Sequence, residues 1–167
     1  IINTTIPNAA AAGFSPSRAI ILITAGLFVM FNEEEIKGII GHELSHIKNR
    51  DPFFLMLLFC IEYAVRFFIF MSFPIIAFFW IPYFIVSLSL LFFIAKFFEA
   101  RADLEAIYRT DSPWALISAL TKFLEHTHAT YMRRGAVRWL WFNPHPPLTF
   151  RVERLVEYVR KGLPPVR

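Results

Sequence analysis

The sequence predicts a mainly α-helical protein with a small β element, an α+β fold, which a transmembrane helical hairpin interrupts. Apolar residues repeat at helical spacing in several segments, and the long stretch Phe53–Phe98 carries only three charged residues. The 167 residues are 56% hydrophobic and include 20 Phe, which is more apolar than soluble globular proteins usually are. This length suits one domain with its own core.

The charge and the cysteine content exclude some classes of protein. The net charge is only +4 and the basic residues are scattered in short groups, so we do not expect a nucleic-acid partner. The single cysteine, Cys60, cannot form an intrachain disulfide. The chain begins with Ile1 rather than Met, and we therefore expect that an N-terminal portion is missing.

The first part of the chain predicts a strand and then a helix. Ile1–Arg18 is expected to be irregular because two prolines and a glycine interrupt it. The β-branched run Ile20–Thr24 predicts a buried strand, and Gly26 predicts a turn after it. A helix should begin after Asn32, a favoured N-cap residue followed by three glutamates. Asp51-Pro52 is expected to end this helix, since proline disfavours helical geometry in the residue before it.

The stretch Phe53–Phe98 is long enough for two membrane spans, since about 20 residues cross a bilayer core of roughly 30 Å. Pro74 and Pro82, with Trp80 and Tyr83 nearby, mark the region between the spans. The alternative is a pair of buried helices in a soluble protein. So small a chain has little with which to surround them.

The charges around the hairpin predict its orientation. Its tip is uncharged, whereas basic residues flank both spans on the other side, which by the positive-inside rule faces the cytoplasm. Within the first span, Glu62 and Arg66 stand four residues apart, and they either neutralise each other or have a polar function in the membrane. The flanking basic residues are Lys48, Arg50, Lys96 and Arg101.

The chain after the spans predicts three further segments. Phe97–Arg109 continues the second helix, and Asp111-Ser112-Pro113 starts another that runs to about His128. Residues 131–142 mix arginines with aromatic residues, which suits a segment on lipid headgroups or a mobile loop. A last amphipathic helix ends before Gly162.

The chemistry is concentrated in His42-Glu43-Leu44-Ser45-His46, an H-E-x-x-H motif on the predicted helix. Residues four apart return to the same helix face, so both imidazoles can reach one zinc ion. Glu43 projects beside the metal, where it can take a proton from a zinc-bound water and pass it to a leaving amine. The alternative is a pair of surface histidines on a helix.

A catalytic zinc site usually takes three protein ligands and a water. Glu99 and Asp103 directly follow the second span, and the hairpin returns the chain to the end of the motif helix. We therefore expect Glu99 as the third ligand of one Zn²⁺ per chain, and Asp103 as a hydrogen-bond partner of a ligating histidine. The alternative is an ordinary charge cluster next to the membrane.

These elements, in this order, resemble the M48 family of membrane metallopeptidases, and within it the HtpX-like heat-shock proteases. The resemblance covers nearly the whole chain. Its elements are Pro7-Asn8-Ala9, Ala19–Leu27, His42–Asp51, the two spans, Glu99–Asp103, His145-Pro146-Pro147-Leu148 and Arg151.

The resemblance implies roles for further residues. It makes Glu99 the third zinc ligand and Asp103 its partner. It places His145 across the cleft, where it would stabilise the tetrahedral intermediate, and it makes Arg151 an organising residue of the site.

The resemblance also implies that Asn8 and Ala9 belong to the edge strand that aligns the substrate backbone. The family usually has an aromatic residue next, whereas this chain has Ala10. HtpX-like proteins also have two further spans ahead of the catalytic part, and this sequence does not contain them.

We therefore expect a zincin-type metallopeptidase domain interrupted by a transmembrane hairpin. Residues 1–52 and 99–167 would form the catalytic domain, and residues 53–98 the hairpin. The expected protein is a zinc endopeptidase in the cytoplasmic membrane that cleaves membrane or misfolded polypeptides on the cytoplasmic side. The alternatives are a prenyl-protein endopeptidase and a catalytically silent membrane adaptor with a structural zinc. The sequence does not indicate the oligomeric state, the regulator or the natural substrate.

Overall fold

The computed structural model describes residues 1–13, 15–131 and 145–162. Over these residues the protein is mainly helical with one two-stranded antiparallel sheet, as the sequence predicts. Short 3₁₀ helices occupy Pro16–Arg18 and Pro74–Phe79. The other elements are β1 (Ala9–Ala12), β2 (Ile20–Ile23), α1 (Ala25–Met30), α2 (Glu33–Asn49), α3 (Asp51–Ser72), α4 (Trp80–Arg109), α5 (Trp114–Tyr131) and α6 (Leu148–Arg160).

Strand β1 corrects the prediction of an irregular N-terminal segment. Ala9 pairs with Ile23 and Ala12 pairs with Ile20, so the strand predicted over Ile20–Thr24 is confirmed as its partner and ends at Ile23. The prediction that this strand is buried is wrong, because Ile20 and Leu22 are exposed and the other two residues are only half-buried. Four consecutive alanines have little β-propensity. The strand therefore depends on its tertiary partners, β2 on one side and helix α2 against it.

Helix α1 corrects the turn predicted at Gly26. This glycine lies inside the helix, where a Cβ atom would come within 2.2 Å of the carbonyl oxygen of Thr5. Gly26 therefore permits the N-terminal segment to approach the backbone of α1, and its role is close packing rather than chain reversal.

Helix α2 begins as predicted, with a capping box. The Asn32 side chain accepts the Glu35 N–H at 2.9 Å, and the Glu35 carboxylate accepts the Asn32 N–H at 2.9 Å. Glu35 also accepts hydrogen bonds from Ser118 at 2.6 Å and from Lys122 at 2.7 Å, both on α5. The cap therefore also ties α2 to α5.

The end of α2 differs in one respect from the prediction. Arg50 adopts the left-handed conformation, with φ of 57°, and the chain enters α3 directly at Asp51. Pro52 is then in the first turn of α3, where it needs no hydrogen-bond partner for its nitrogen. The Asp51-Pro52 pair therefore follows the end of α2, as predicted, and is also the start of α3.

The two predicted spans are confirmed as helices long and apolar enough to cross a membrane. In the most apolar 18-residue stretch of each helix, 0% of the residues of α3 and 11% of those of α4 are buried within the described protein. Their apolar side chains therefore face outward. Pro82 lies in the first turn of α4 rather than between the helices. Glu62 and Arg66 form a 3.3 Å ion pair.

Helix α2 packs against α4 and α5, and α6 packs against α5 and α4. The predicted helix start at Asp111-Ser112-Pro113 and the last amphipathic helix are both confirmed. The basic and aromatic segment 131–142 lies, apart from Tyr131, outside the described residues. The buried apolar residues beneath the site include Leu104, Ile107, Leu116, Leu120 and Leu155.

Candidate metal centre

Helix α2 presents His42 and His46 one turn apart on its buried side. Their Nε2 atoms lie 3.1 Å apart, and His42 is only 7% exposed. The spacing of four residues brings both rings to one face of the helix, as the sequence predicts.

Helix α4 brings Glu99 to the same point. Its Oε2 lies 3.5 Å from His42 Nε2, and its Oε1 lies 3.4 Å from His46 Nε2. One ligand atom from each of the three residues can be chosen so that all lie within 4.8 Å of one another. The hairpin returns α4 to the end of α2, and the three predicted ligands meet there.

Each histidine faces a carboxylate through its other ring nitrogen. Asp103 Oδ1 lies 2.9 Å from His42 Nδ1, and Asp51 Oδ2 lies 2.8 Å from His46 Nδ1. These contacts turn both Nε2 atoms toward Glu99. The sequence predicted the position of Asp103 but not the site role of Asp51. An Asp-Pro pair after a helical pattern indicates the end of a helix, and Asp51 was interpreted only in that way. The sequence signals are its spacing of five residues from His46 and its place at the end of the stretch His42–Asp51 that carries the family resemblance.

Helix α6 and the residues before it complete the cluster. Arg151 donates to both oxygens of Asp103, at 2.8 Å and 2.5 Å, and its Nη1 lies 3.5 Å from Glu99 Oε2. His145 Nδ1 lies 3.0 Å from Glu99 Oε1, although the His145 side chain is 59% exposed. Both predicted residues therefore contact Glu99, and His145 does so from the solvent side.

Glu43 lies under the free edge of β1. The main-chain N–H of Ala11 donates to Glu43 Oε2 at 2.7 Å. The N–H and C=O of Asn8 are both bonded to Thr24, so they point to β2. Since alternate residues of a strand face opposite edges, Ala9 and Ala11 present their backbone groups to the free edge. Asn8 can contribute there only through its side chain.

The electrostatic field at the cluster favours a cation. Burial lowers the pKa of both histidines, but the contacts of His42 with Asp103 and Glu99 raise its pKa overall. Burial also lowers the pKa of His46, but its contacts with Asp51 and Glu99 outweigh this effect and raise the pKa to about 9. Burial raises the pKa of Glu99, yet His145, His42 and His46 bring it well below its usual range. The same carboxylates would favour a metal ion, which would bind the neutral imidazoles and displace their protons.

The donor set fits zinc. Two imidazole nitrogens and a carboxylate oxygen are a ligand set of catalytic zinc sites. Glu99 Oε2 is buried and has no hydrogen-bond partner among the described residues, which is costly unless a cation completes it. Asp51 is hydrogen-bonded to His46 Nδ1, and Asp103 Oδ1 lies 2.9 Å from His42 Nδ1, so each ring has a carboxylate beside it as in known zinc sites.

The candidate metal centre and the two helices of membrane-spanning length are together typical of membrane metalloproteins. The model of peptidase family M48 matches residues 1–159, and the chain belongs to that family. The resemblance noted from the sequence is thus confirmed.

Curated relatives match a shorter part of the chain. A protease HtpX homolog of Pyrococcus furiosus is 51% identical over 51 residues, and one of Methanocaldococcus jannaschii is 47% identical over 51 residues. The matched part is 30% of this chain and only 18% of each relative's length. No solved structure matches the chain.

Proposed function

We propose that this chain carries the catalytic part of a membrane-anchored zinc endopeptidase. The observation that supports the proposal most directly is the buried cluster of His42, His46 and Glu99, in which Glu99 Oε2 lies 3.5 Å from His42 Nε2 and has no hydrogen-bond partner among the described residues. Membership of peptidase family M48 and the names of the relatives support peptide-bond hydrolysis.

The three residues would hold one zinc ion. When bound, zinc would polarise a peptide carbonyl and lower the pKa of a water molecule toward neutrality. Glu43 would act as general base and then as general acid, taking a proton from the attacking water and delivering it to the leaving amine. Its hydrogen bond from Ala11 holds the carboxylate at the free edge of β1, where a bound peptide would lie.

The neighbouring residues would support this step. Asp103 would hold the His42 ring, and Arg151 would hold Asp103 through two hydrogen bonds. His145, which is exposed on the solvent side of Glu99, would stabilise negative charge on the oxygen of the tetrahedral intermediate.

We propose that substrates bind as an added strand along β1. The free edge offers the N–H and C=O of Ala9 and the C=O of Ala11, whose N–H is bonded to Glu43, and the Asn8 side chain would contact the substrate beside them. An edge strand reads main chain more than side chains, which predicts broad specificity. Such specificity suits the removal of membrane proteins or misfolded segments in quality control.

Residues 1–52 and 99–167 would form the catalytic unit, and 53–98 the hairpin in the lipid bilayer. Basic residues lie near both ends of the segment 53–98, on the side that carries the cluster, so that side would face the cytoplasm. The membrane would then be the cytoplasmic membrane.

The test compares wild type with Glu43→Gln for zinc content and for cleavage of an unfolded protein such as casein. The amide preserves the shape of the side chain but cannot relay a proton, so turnover should fall by roughly a hundredfold or more. Zinc content should stay at one ion per chain. An inactive wild type that binds zinc would favour the adaptor alternative, and near-normal cleavage by Glu43→Gln would refute the mechanism.

A further inference from the structure

Asp51 lies between a proposed metal ligand and the second membrane helix. It is the first residue of α3 and is only 2% exposed. Its Oδ2 lies 2.8 Å from His46 Nδ1, and its Oδ1 accepts a hydrogen bond from Arg101 Nη2 on α4. Both oxygens of this carboxylate are therefore engaged, one by each neighbour.

Arg101 is itself held in place. It lies two residues after Glu99 on α4, and its guanidinium is 5.3 Å from the centre of the Phe98 ring. The left-handed Arg50 turns the chain sharply between α2 and α3, which brings Asp51 back beneath His46. The chain His46–Asp51–Arg101 thus joins the ends of α2, α3 and α4 at the base of the hairpin.

We propose that Asp51 and Arg101 form a positioning pair that couples the membrane hairpin to the metal centre. This inference rests on the proposed zinc site. Asp51 holds the His46 ring with its proton on Nδ1, which leaves the Nε2 lone pair directed at the metal. Arg101 prevents the carboxylate from rotating away. The ends of α3 and α4 next to the hairpin then help to hold the metal site.

A purely structural role predicts a different outcome. Glu105 offers a matched control, since it also joins the end of α2 to α4. It accepts hydrogen bonds from Asn49 at 2.8 Å, from Lys48 at 3.2 Å and from Arg109 at 2.8 Å. Ser45 Oγ also lies 3.4 Å from Glu105, but none of these partners is His42, His46 or Glu99. Glu105→Gln therefore weakens the same helix contact without removing a contact of the metal ligands.

The experiment measures zinc affinity of the full chain in detergent by competition with a chelator, with the unfolding temperature of each variant. Asp51→Asn should weaken zinc binding by about 10–100-fold, the usual effect of losing such a partner. Arg101→Gln should weaken it in the same direction, and the double variant should be little worse than Asp51→Asn. Glu105→Gln should lower the unfolding temperature and keep the affinity.

Each outcome decides between the proposals. Wild-type affinity in Asp51→Asn, or an equal loss in Glu105→Gln, would overturn the positioning role. A wild type that binds no zinc would instead overturn the proposed function. If Asp51→Asn does not fold, Arg101→Gln carries the test, because Arg101 is 36% exposed and its replacement removes no buried core. Wild-type affinity in Arg101→Gln would then overturn the inference.

Discussion

The main-chain N–H of Ala11 donates a 2.7 Å hydrogen bond to Glu43 Oε2 and so joins the free edge of β1 to the H-E-x-x-H helix. No hydrogen bond of the sheet is lost to form this contact, because the Ala11 N–H points away from β2. It fixes the distance between the proposed general base and the strand along which a peptide would bind.

This contact predicts the effect of Ala11→Pro. Proline removes the N–H, and an edge strand tolerates it where no sheet bond is lost. We expect kcat to fall by about tenfold, since a hydrogen bond to a charged group contributes about 1.5–3 kcal/mol, part of which would be felt in the reaction. Zinc content should not change.

The matched control for this prediction is Ala9→Pro, which removes another free-edge N–H that has no bond to Glu43 in the structure. It should raise KM and leave kcat near that of wild type. Equal effects of the two variants on kcat would contradict a specific role for Ala11.

Removing a ligand should empty the metal site. Glu99→Ala and His42→Ala leave two donors of the three, so zinc should be lost on dialysis and cleavage should stop. Metal analysis of the purified protein measures this. Glu33→Ala, at an exposed position of α2, is the control and should retain zinc. Full occupancy in Glu99→Ala would mean that another residue is the third ligand.

The two spans predict an accessibility pattern for introduced cysteines. In a Cys60→Ala background, Ser72→Cys at the hairpin tip and Glu33→Cys on α2 should react with a membrane-impermeant thiol reagent from opposite sides. Glu33 should be reached only from the cytoplasm. Reaction of both cysteines from one side would contradict a spanning hairpin.

Glu35 predicts how stability depends on pH. Burial raises the pKa of Glu35, but hydrogen bonds from Lys122, Ser118 and Asn32 bring it below its ordinary value of 4.5. A lowered pKa in the folded state contributes stability that is fully present above 4.5 and is lost as the pH falls through the folded-state value.

Glu35→Gln should therefore lower the free energy of unfolding by about 1–2 kcal/mol at neutral pH. The difference from wild type should shrink as the pH falls below 4.5, because protonated Glu35 then resembles the amide. Thermal unfolding in detergent across this range measures it. Glu34→Gln, at an exposed site on the same helix, should change little. A constant difference at all pH values would contradict the assignment.

The helices and the centre of the site follow from local sequence. The period of the α-helix places His42 and His46 on one face, and the length of the apolar run Phe53–Phe98 sets two spans. These features depend on spacing along a single element, so they can be read without a fold. Glu99 required one further step, the return of the chain by the hairpin.

Other features arise only from tertiary contacts. Strand β1 is a run of alanines whose conformation is imposed by β2 and α2, and the helical Gly26 reflects the approach of Thr5 rather than a turn. Asp51 contacts both His46 and Arg101, although Arg101 lies far along the chain. The left-handed Arg50 brings Asp51 to His46, and the hairpin returns Arg101 to Asp51. The sequence alone determined that His42 and His46 can reach one metal ion, because their spacing along a single helix puts both on one face. The tertiary structure decided which groups orient them, since those contacts join segments that only packing brings together.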